Sequence, residues 1–258
     1  MIALIQRWLR SYVKSEIRRP RLALSASDFV AIYAIGDVHG CVELLRKAYE
    51  SILKDRPAVT GRKLVVFLGD YVDKGPDSKA VLEFLCQPAR EGVHHVCLCG
   101  NHDAEFFRFL QDPKSNLGWL EFGGVNTLRS YGIDTKHILK NGGGLKVLQR
   151  TVSQAIPAQH IEFLSSLPTM LKVGDIVFVH AGVRPGISLT EQTDHDLLWI
   201  REPFLTEGPM LPLFVLHGHT VTARPAFGNR RVGIDTGAYA TGRLTVIKLS
   251  QGTVSMLQ

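Results

Sequence analysis

Apolar residues in this chain come in short blocks, each closed by a polar stretch containing glycine. Three of these blocks, at residues 30–35, 64–68 and 93–98, have strand length. Continuous apolar runs of this size suit strands of a sheet covered on both faces. The first run leads into Gly36-Asp37-Val38-His39-Gly40. The second leads into Gly69-Asp70-Tyr71-Val72-Asp73-Lys74-Gly75, and the third into Gly100-Asn101-His102-Asp103. In an open α/β sheet, ligands bind beyond the carboxyl ends of the strands. Three strand ends that deliver Asp, Asn or His to one edge therefore define a candidate site.

The periodicity between and after these runs changes in an ordered way. Val42, Leu45, Ala48, Tyr49 and Ile52 fall on one face of a helix over residues 42–54, and a second helix is predicted near residues 78–86. This alternation of strand and helix is the βαβ pattern. From about 104 to 170 the pattern is mainly helical, with helices expected around 106–110, 117–131 and 158–167 and a Gly142-Gly143-Gly144 turn between them. Strand character returns at 175–179, ending in His180-Ala181-Gly182, and at 213–216, ending in His217-Gly218-His219-Thr220. Further strands are predicted at 231–235, 244–249 and 253–257, antiparallel across Gly-containing turns. The expected architecture is α/β: two stacked mixed sheets flanked by helices, with a helical insertion. Domain organisation follows as a basic N-terminal arm over 1–28 and one domain over 29–258.

Ile2, Ile5, Leu9, Val13 and Ile17 lie at helical spacing among basic residues, and Arg19-Pro20-Arg21 closes that pattern. The charges interrupt any secretory leader. A basic amphipathic stretch also suits a membrane surface. The simpler expectation is a helix packed on the domain or left partly disordered.

The formal net charge is +6 over 258 residues. Arg7, Arg10, Lys14, Arg18, Arg19 and Arg21, against Glu16 and Asp28, carry most of that excess. The body is near neutral, so composition gives no nucleic-acid face. The cysteines are Cys41, Cys86, Cys97 and Cys99, with no CxxC pair. Free thiols in apolar surroundings fit a reducing cytoplasm better than a disulfide frame. No run is long enough to span a bilayer.

Asp37, His39, Asp70, Asn101, His102, His180 and His219 all stand at strand ends with glycine close by. One such His is usually structural, but a grammar repeated across several strands points to a shared metal site. Carboxylate, imidazole and amide oxygen without thiolate suit Mn²⁺, Fe²⁺ or Zn²⁺. A bridging Asp can hold two ions about 3.5–4 Å apart, the spacing used for in-line phosphoryl displacement.

These ordered motifs resemble the signature of the calcineurin-like metallophosphoesterases and, within them, the bacterial phosphoprotein phosphatases. The resemblance extends from residue 31 to about 245. It implies that Asp37 and His39 bind one metal, that Asp70 bridges, and that Asn101, His180 and His219 bind the second. It also implies two divalent ions, Mn²⁺ foremost with Fe or Zn as alternatives, and in-line attack by a metal-bridging hydroxide. His102 would be the general acid, oriented by Asp73, and the carboxylate would favour the cationic imidazole. Lys74 stands where the family more often has Arg, so it supplies charge without a bidentate fork. Arg201 resembles a second phosphate-binding residue, and Asn101 faces the phosphate as well as a metal.

Asp235 and Tyr239 lie where the chain is expected to return beside the site. His217 stands one residue before Gly218-His219 and is expected to point elsewhere, as a structural residue or a neighbour of the site. Asp103 is expected to cap the following helix. His94, His95, His137, His160 and His195 have no motif around them. The leading function is hydrolysis of phosphomonoesters, with phosphoserine or phosphothreonine in proteins as the expected substrate. The alternative is symmetric hydrolysis of dinucleoside tetraphosphates, and a third reading is an inactive metal-binding scaffold. Asp73 and His219-Thr220 favour the phosphatase.

Overall fold

The computed structural model describes residues 18–55, 60–140, 143–250 and 253–257. The periodic stretch at residues 2–17 therefore lies outside the described residues.

Strand β2 (Ala31–Ile35) is buried at every position. Its side chains divide by the two-residue period of a strand. Ala31, Tyr33 and Ile35 face a core shared with helices, while Ile32 and Ala34 face a second sheet. Strand β3 (Lys63–Phe67) repeats this, with Val65 and Phe67 on the helical side and Leu64 and Val66 between the sheets. In the other sheet, β6 (Ile176–Val179) sends Phe178 inward, while Val177 and Val179 pack outward with Leu197 and Phe204. The result is four layers: helices, sheet, sheet, helices. Every strand of this central part is apolar on both faces because both are covered.

The five-stranded sheet has the order β11-β10-β2-β3-β4, where β4 is Val93–Cys97, β10 is Val246–Ser250 and β11 is Thr253–Leu257. Strands β2, β3 and β4 are parallel, and β10 and β11 are added antiparallel. The six-stranded sheet has the order β1-β5-β6-β7-β9-β8. It contains β1 (Arg21–Leu24), β5 (Met170–Val173), β7 (Phe214–His217), β8 (Ala226–Gly228) and β9 (Arg231–Gly233). Helix α1 (Val42–Lys54) buries the five apolar positions predicted for it, and α2 (Ser78–Leu85) follows β3.

Three details differ from the sequence pattern. Residues 21–24, read as part of the arm, form β1 and pair in parallel with β5. Backbone pairing there begins where Arg19-Pro20-Arg21 closes the helical spacing. Strand β9 lies parallel to β7 rather than antiparallel to β10, which belongs to the other sheet. The stretch 117–131 is not one helix. A 3₁₀ turn (Leu117–Leu120) is separated from the next helix by Gly123, whose φ of 122° is open to glycine and strained for other residues.

The insert is otherwise helical as expected: α3 (Asn101–Gln111), α4 (Gly124–Ser130), α5 (Thr135–Lys140), α6 (Gly144–Ala155) and α7 (Ala158–Ser166). Among the described residues no helix is long and apolar enough to cross a membrane.

Candidate active site

The carboxyl ends of β2, β3 and β4 meet those of β6 and β7, so both sheets contribute side chains to one point. Asp37, His39, Asp70, Asn101, His102, His180 and His219 are all buried there. The backbone is bent to deliver them. His39, Asp70, Asp73, Lys74 and His219 all have positive φ. Left-handed conformations of non-glycine residues are costly and persist only where surrounding structure holds them. Gly100 and Gly218 allow close approaches, since a Cβ on Gly100 would overlap Asp70 Oδ1 and one on Gly218 would overlap Asp37 Oδ1.

Asp70 stands between two groups of metal-capable atoms: Asp37, Asp70 and His180, and His39, Asp70 and His102. Within each group the ligand atoms lie within 4.8 Å of one another. His39 Nε2 is 3.3 Å from Asp70 Oδ2, and His180 Nε2 is 3.5 Å from Asp70 Oδ1. Backbone carbonyls fix both rings: His39 Nδ1 meets Val72 O at 2.7 Å, and His180 Nδ1 meets Leu68 O at 2.9 Å. An Nδ1–H given to a carbonyl leaves Nε2 as a free electron pair facing the site. Asn101 Oδ1 lies 2.8 Å from His180 Nε2 and 2.9 Å from His219 Nδ1. The backbone N–H of His219 donates to Asp37 Oδ2 at 3.0 Å.

This donor set fits divalent cations. Asp37 Oδ1 and His219 Nε2 are buried, with no hydrogen-bond partner among the described residues. Burial, with Asp235 and Asp70 nearby, pushes the Asp37 carboxyl well above its ordinary range, and burial raises Asp70 too. Burial holds His39 well below its usual range and takes His180 down to about 3. Crowded carboxylates beside neutral imidazoles are unfavourable alone and favourable around positive ions.

His102 sits on the far side of Asp70. Its Nδ1 is 2.7 Å from Asp73 Oδ2, and its Nε2 is 4.0 Å from Asp70 Oδ2. Burial pushes Asp73 up to about 7. Burial also lowers His102, outweighing the Asp70 charge that raises it. Burial thus works against the cationic form that the pairing with Asp73 favours.

Lys74 Nζ lies 3.0 Å from His39 Nε2 and 5.1 Å from the centre of the Tyr239 ring. Arg201 is exposed, and its charge helps to depress both His180 and His219. Asp235 accepts the Gly237 N–H at 2.8 Å, and its charge raises Asp37. His217, the last residue of β7, packs edge-on against Phe204 with centroids 5.1 Å apart, whereas His219 lies beyond the strand at positive φ. Asp103 caps α3 through the Gly100 N–H and also accepts from the backbone of Asp70 and Tyr71. His95 and His160 meet the hydroxyls of Tyr49 and Tyr131 instead.

The motifs gave no hint of Trp119, Phe122 and Thr127. Trp119 Nε1 donates to Asp73 Oδ2 at 2.9 Å, Thr127 Oγ1 donates to Asp73 Oδ1 at 2.6 Å, and Phe122 stacks on His102 with centroids 4.1 Å apart. The adjacent glycines Gly123 and Gly124 were the available signal, since paired glycines mark a close backbone approach.

A family model described as Calcineurin-like phosphoesterase matches residues 30–233. Among curated proteins, a bis(5'-nucleosyl)-tetraphosphatase PrpE [asymmetrical] of Bacillus velezensis is 26% identical over 235 residues, covering 82% of this chain and 86% of its own. The protein of the same description from Bacillus subtilis is also 26% identical over 235 residues, covering 82% and 87%. Among solved structures, a putative diadenosine tetraphosphatase superposes with a TM-score of 0.63 at 20% identity, covering 92% of this chain and 97% of its own. A cold-active protein-tyrosine phosphatase of a psychrophilic Shewanella gives 0.59 at 19% identity, covering 95% and 85%. These two structural likenesses bear on the fold.

Proposed function

Because the chain belongs to the calcineurin-like phosphoesterase family and is a metal-dependent phosphoric-ester hydrolase, we propose that its substrates are phosphomonoesters with poor leaving groups, phosphoserine and phosphothreonine foremost. The observation that carries this reading is the buried His102–Asp73 pair, 2.7 Å apart, beside Asp70. An alkoxide leaves slowly without a proton, whereas a nucleotide leaving from a polyphosphate chain is already a weak base. A dedicated proton donor is therefore most useful on a monoester.

Asp37 and His39 would hold one cation and Asn101, His180 and His219 the other, with Asp70 shared between them. The ions, when bound, supply charge that neutralises the phosphate and activates water; Mn²⁺ fits the donors, as do Fe²⁺ and Zn²⁺. Lys74, Arg201 and the Asn101 amide would face the remaining phosphate oxygens. A phosphate dianion beside His102 favours its cationic form, offsetting burial. As oxygen from water bonds to phosphorus, the bond to the leaving oxygen breaks and keeps its electron pair there. His102 Nε2 passes its proton to that oxygen. The proton released by the water returns to His102 or to solvent. Asp73 keeps the imidazole turned so that Nε2, not Nδ1, faces the substrate.

A second reading rests on the PrpE relatives and on the rings around the site: Tyr239 against His39, Phe122 against His102 and Trp199 against His219. It is asymmetric hydrolysis of dinucleoside tetraphosphates, whose flat bases suit such rings. The symmetric cleavage expected as the alternative gains no support from relatives named for the asymmetric one. Turnover of phosphopeptides, p-nitrophenyl phosphate and diadenosine tetraphosphate by protein loaded with Mn²⁺ tests both. Faster phosphopeptide turnover is expected. Diadenosine tetraphosphate giving ATP and AMP faster than any phosphopeptide is dephosphorylated would replace the first reading with the second. The free thiols suit a cytoplasmic setting.

A further inference from the structure

We propose that the insert segment 117–130 is the positioning element of the proton donor, with Trp119 and Thr127 as positioning residues acting through Asp73. This rests on the reading of His102 as the acid.

Asp73 has a φ of 72°, a conformation that a residue with a side chain keeps only when it is held. Its partners hold it from three sides. Oδ2 accepts from both His102 Nδ1 and Trp119 Nε1, at 2.7 and 2.9 Å. Oδ1 accepts from Thr127 Oγ1 at 2.6 Å. The Asp73 backbone N–H donates to Thr127 Oγ1 at 2.8 Å and to Ser78 Oγ at 3.1 Å. The single Thr127 hydroxyl proton is committed to Asp73, so its oxygen is free to accept. Carboxylate and backbone of Asp73 are thus gripped by one side chain of α4.

The support is itself rigid. The Trp119 indole is buried between Phe106 and Phe109, with centroids 4.8 and 4.7 Å away. Gly123 and Gly124 let the chain lie flat against it. A Cβ on Gly123 would come within 2.9 Å of Asp73 Cβ, and one on Gly124 within 2.5 Å of the indole. Asn126 Nδ2 donates to the Lys74 carbonyl at 2.6 Å, and Phe122 lies flat on His102, 8° from parallel. These contacts fix the imidazole plane and its direction, which is what proton transfer to one particular oxygen requires.

The leaving group separates a positioning role from a structural one. Protein carrying Trp119→Phe or Thr127→Val is loaded with Mn²⁺ and assayed on phenyl phosphate, whose leaving oxygen needs a proton, and on p-nitrophenyl phosphate, whose leaving oxygen hardly does. Expected is a kcat loss at least about tenfold greater on phenyl phosphate, with KM unchanged and Thr127→Ser restoring most of it. As a readout independent of turnover, the hydrogen-bonded Nδ1–H of His102 in metal-free protein gives a low-field proton resonance, identified by its loss in His102→Asn. Trp119→Phe should move that resonance. Equal losses on both esters, or an unmoved resonance, would overturn the positioning role. Wild-type protein that hydrolyses neither ester would overturn the phosphatase reading and this role with it.

Discussion

The carboxylate of Asp103 accepts the backbone N–H of Asp70 at 2.8 Å. It also takes the N–H groups of Tyr71 at 2.9 Å and Gly100 at 2.9 Å, so a helix residue ties the turn that carries the shared aspartate. Asp103→Ala leaves three buried donors unpaired and should cost about 3–5 kcal/mol in chemical denaturation. Asp103→Asn keeps one acceptor and should cost about 1–2 kcal/mol. Both should weaken Mn²⁺ binding in calorimetry.

Gly218 is required by crowding, because any Cβ there displaces the Asp37 carboxylate. Gly218→Ala should lower Mn²⁺ affinity by about 10–100-fold, as losses around a metal ligand do. The melting temperature of chelator-treated protein should change little. Unaltered affinity would mean that Asp37 is not a ligand.

His102→Asn should lower kcat on alkyl phosphates by about 10²–10⁴-fold while the metals stay bound. Metal loss in that variant, read by elemental analysis, would instead favour His102 as a ligand, in line with its place beside His39 and Asp70.

Lys74→Met and Arg201→Met should act mainly on KM, each raising it by about tenfold, the loss of one charge-assisted contact to phosphate. Chelation should abolish turnover, and added Mn²⁺ should restore it.

Acid should destabilise the metal-free fold through its buried imidazoles. Burial takes His95 down to about 4, and its ring is 2.7 Å from the Tyr49 hydroxyl. The unfolded chain binds that proton near pH 6.5, while the folded chain does so only near 4. Stability is therefore complete above about pH 6.5 and falls as pH drops toward 4. His95→Gln should flatten this slope in thermal unfolding between pH 7 and 4.5. An unchanged slope would show that His95 takes up its proton over the same pH range in the folded and unfolded chains.

The parts of the site that follow strands were legible because apolar run, polar residue and glycine recur within a few positions. Asp37, His39, Asp70, Asn101, His180 and His219 all announce themselves in that way. Trp119 and Thr127 do not, because their partner Asp73 is 46 and 54 positions away. Only the folding of the insert makes them neighbours. Strand β1 shows no alternation, since Leu22, Ala23 and Leu24 are all apolar and four residues are too few to mark a period. Strand β5, Met170–Val173, falls between the predicted insert and the predicted strand at 175–179, because four residues are too few to show a period.

Asp37, Asp70 and Asn101 belong to one slab of the molecule, and His180 and His219 to the other. Any ion they hold together is also a rivet through the joint. Loading it should stiffen both halves at once, and chelating it should loosen them together.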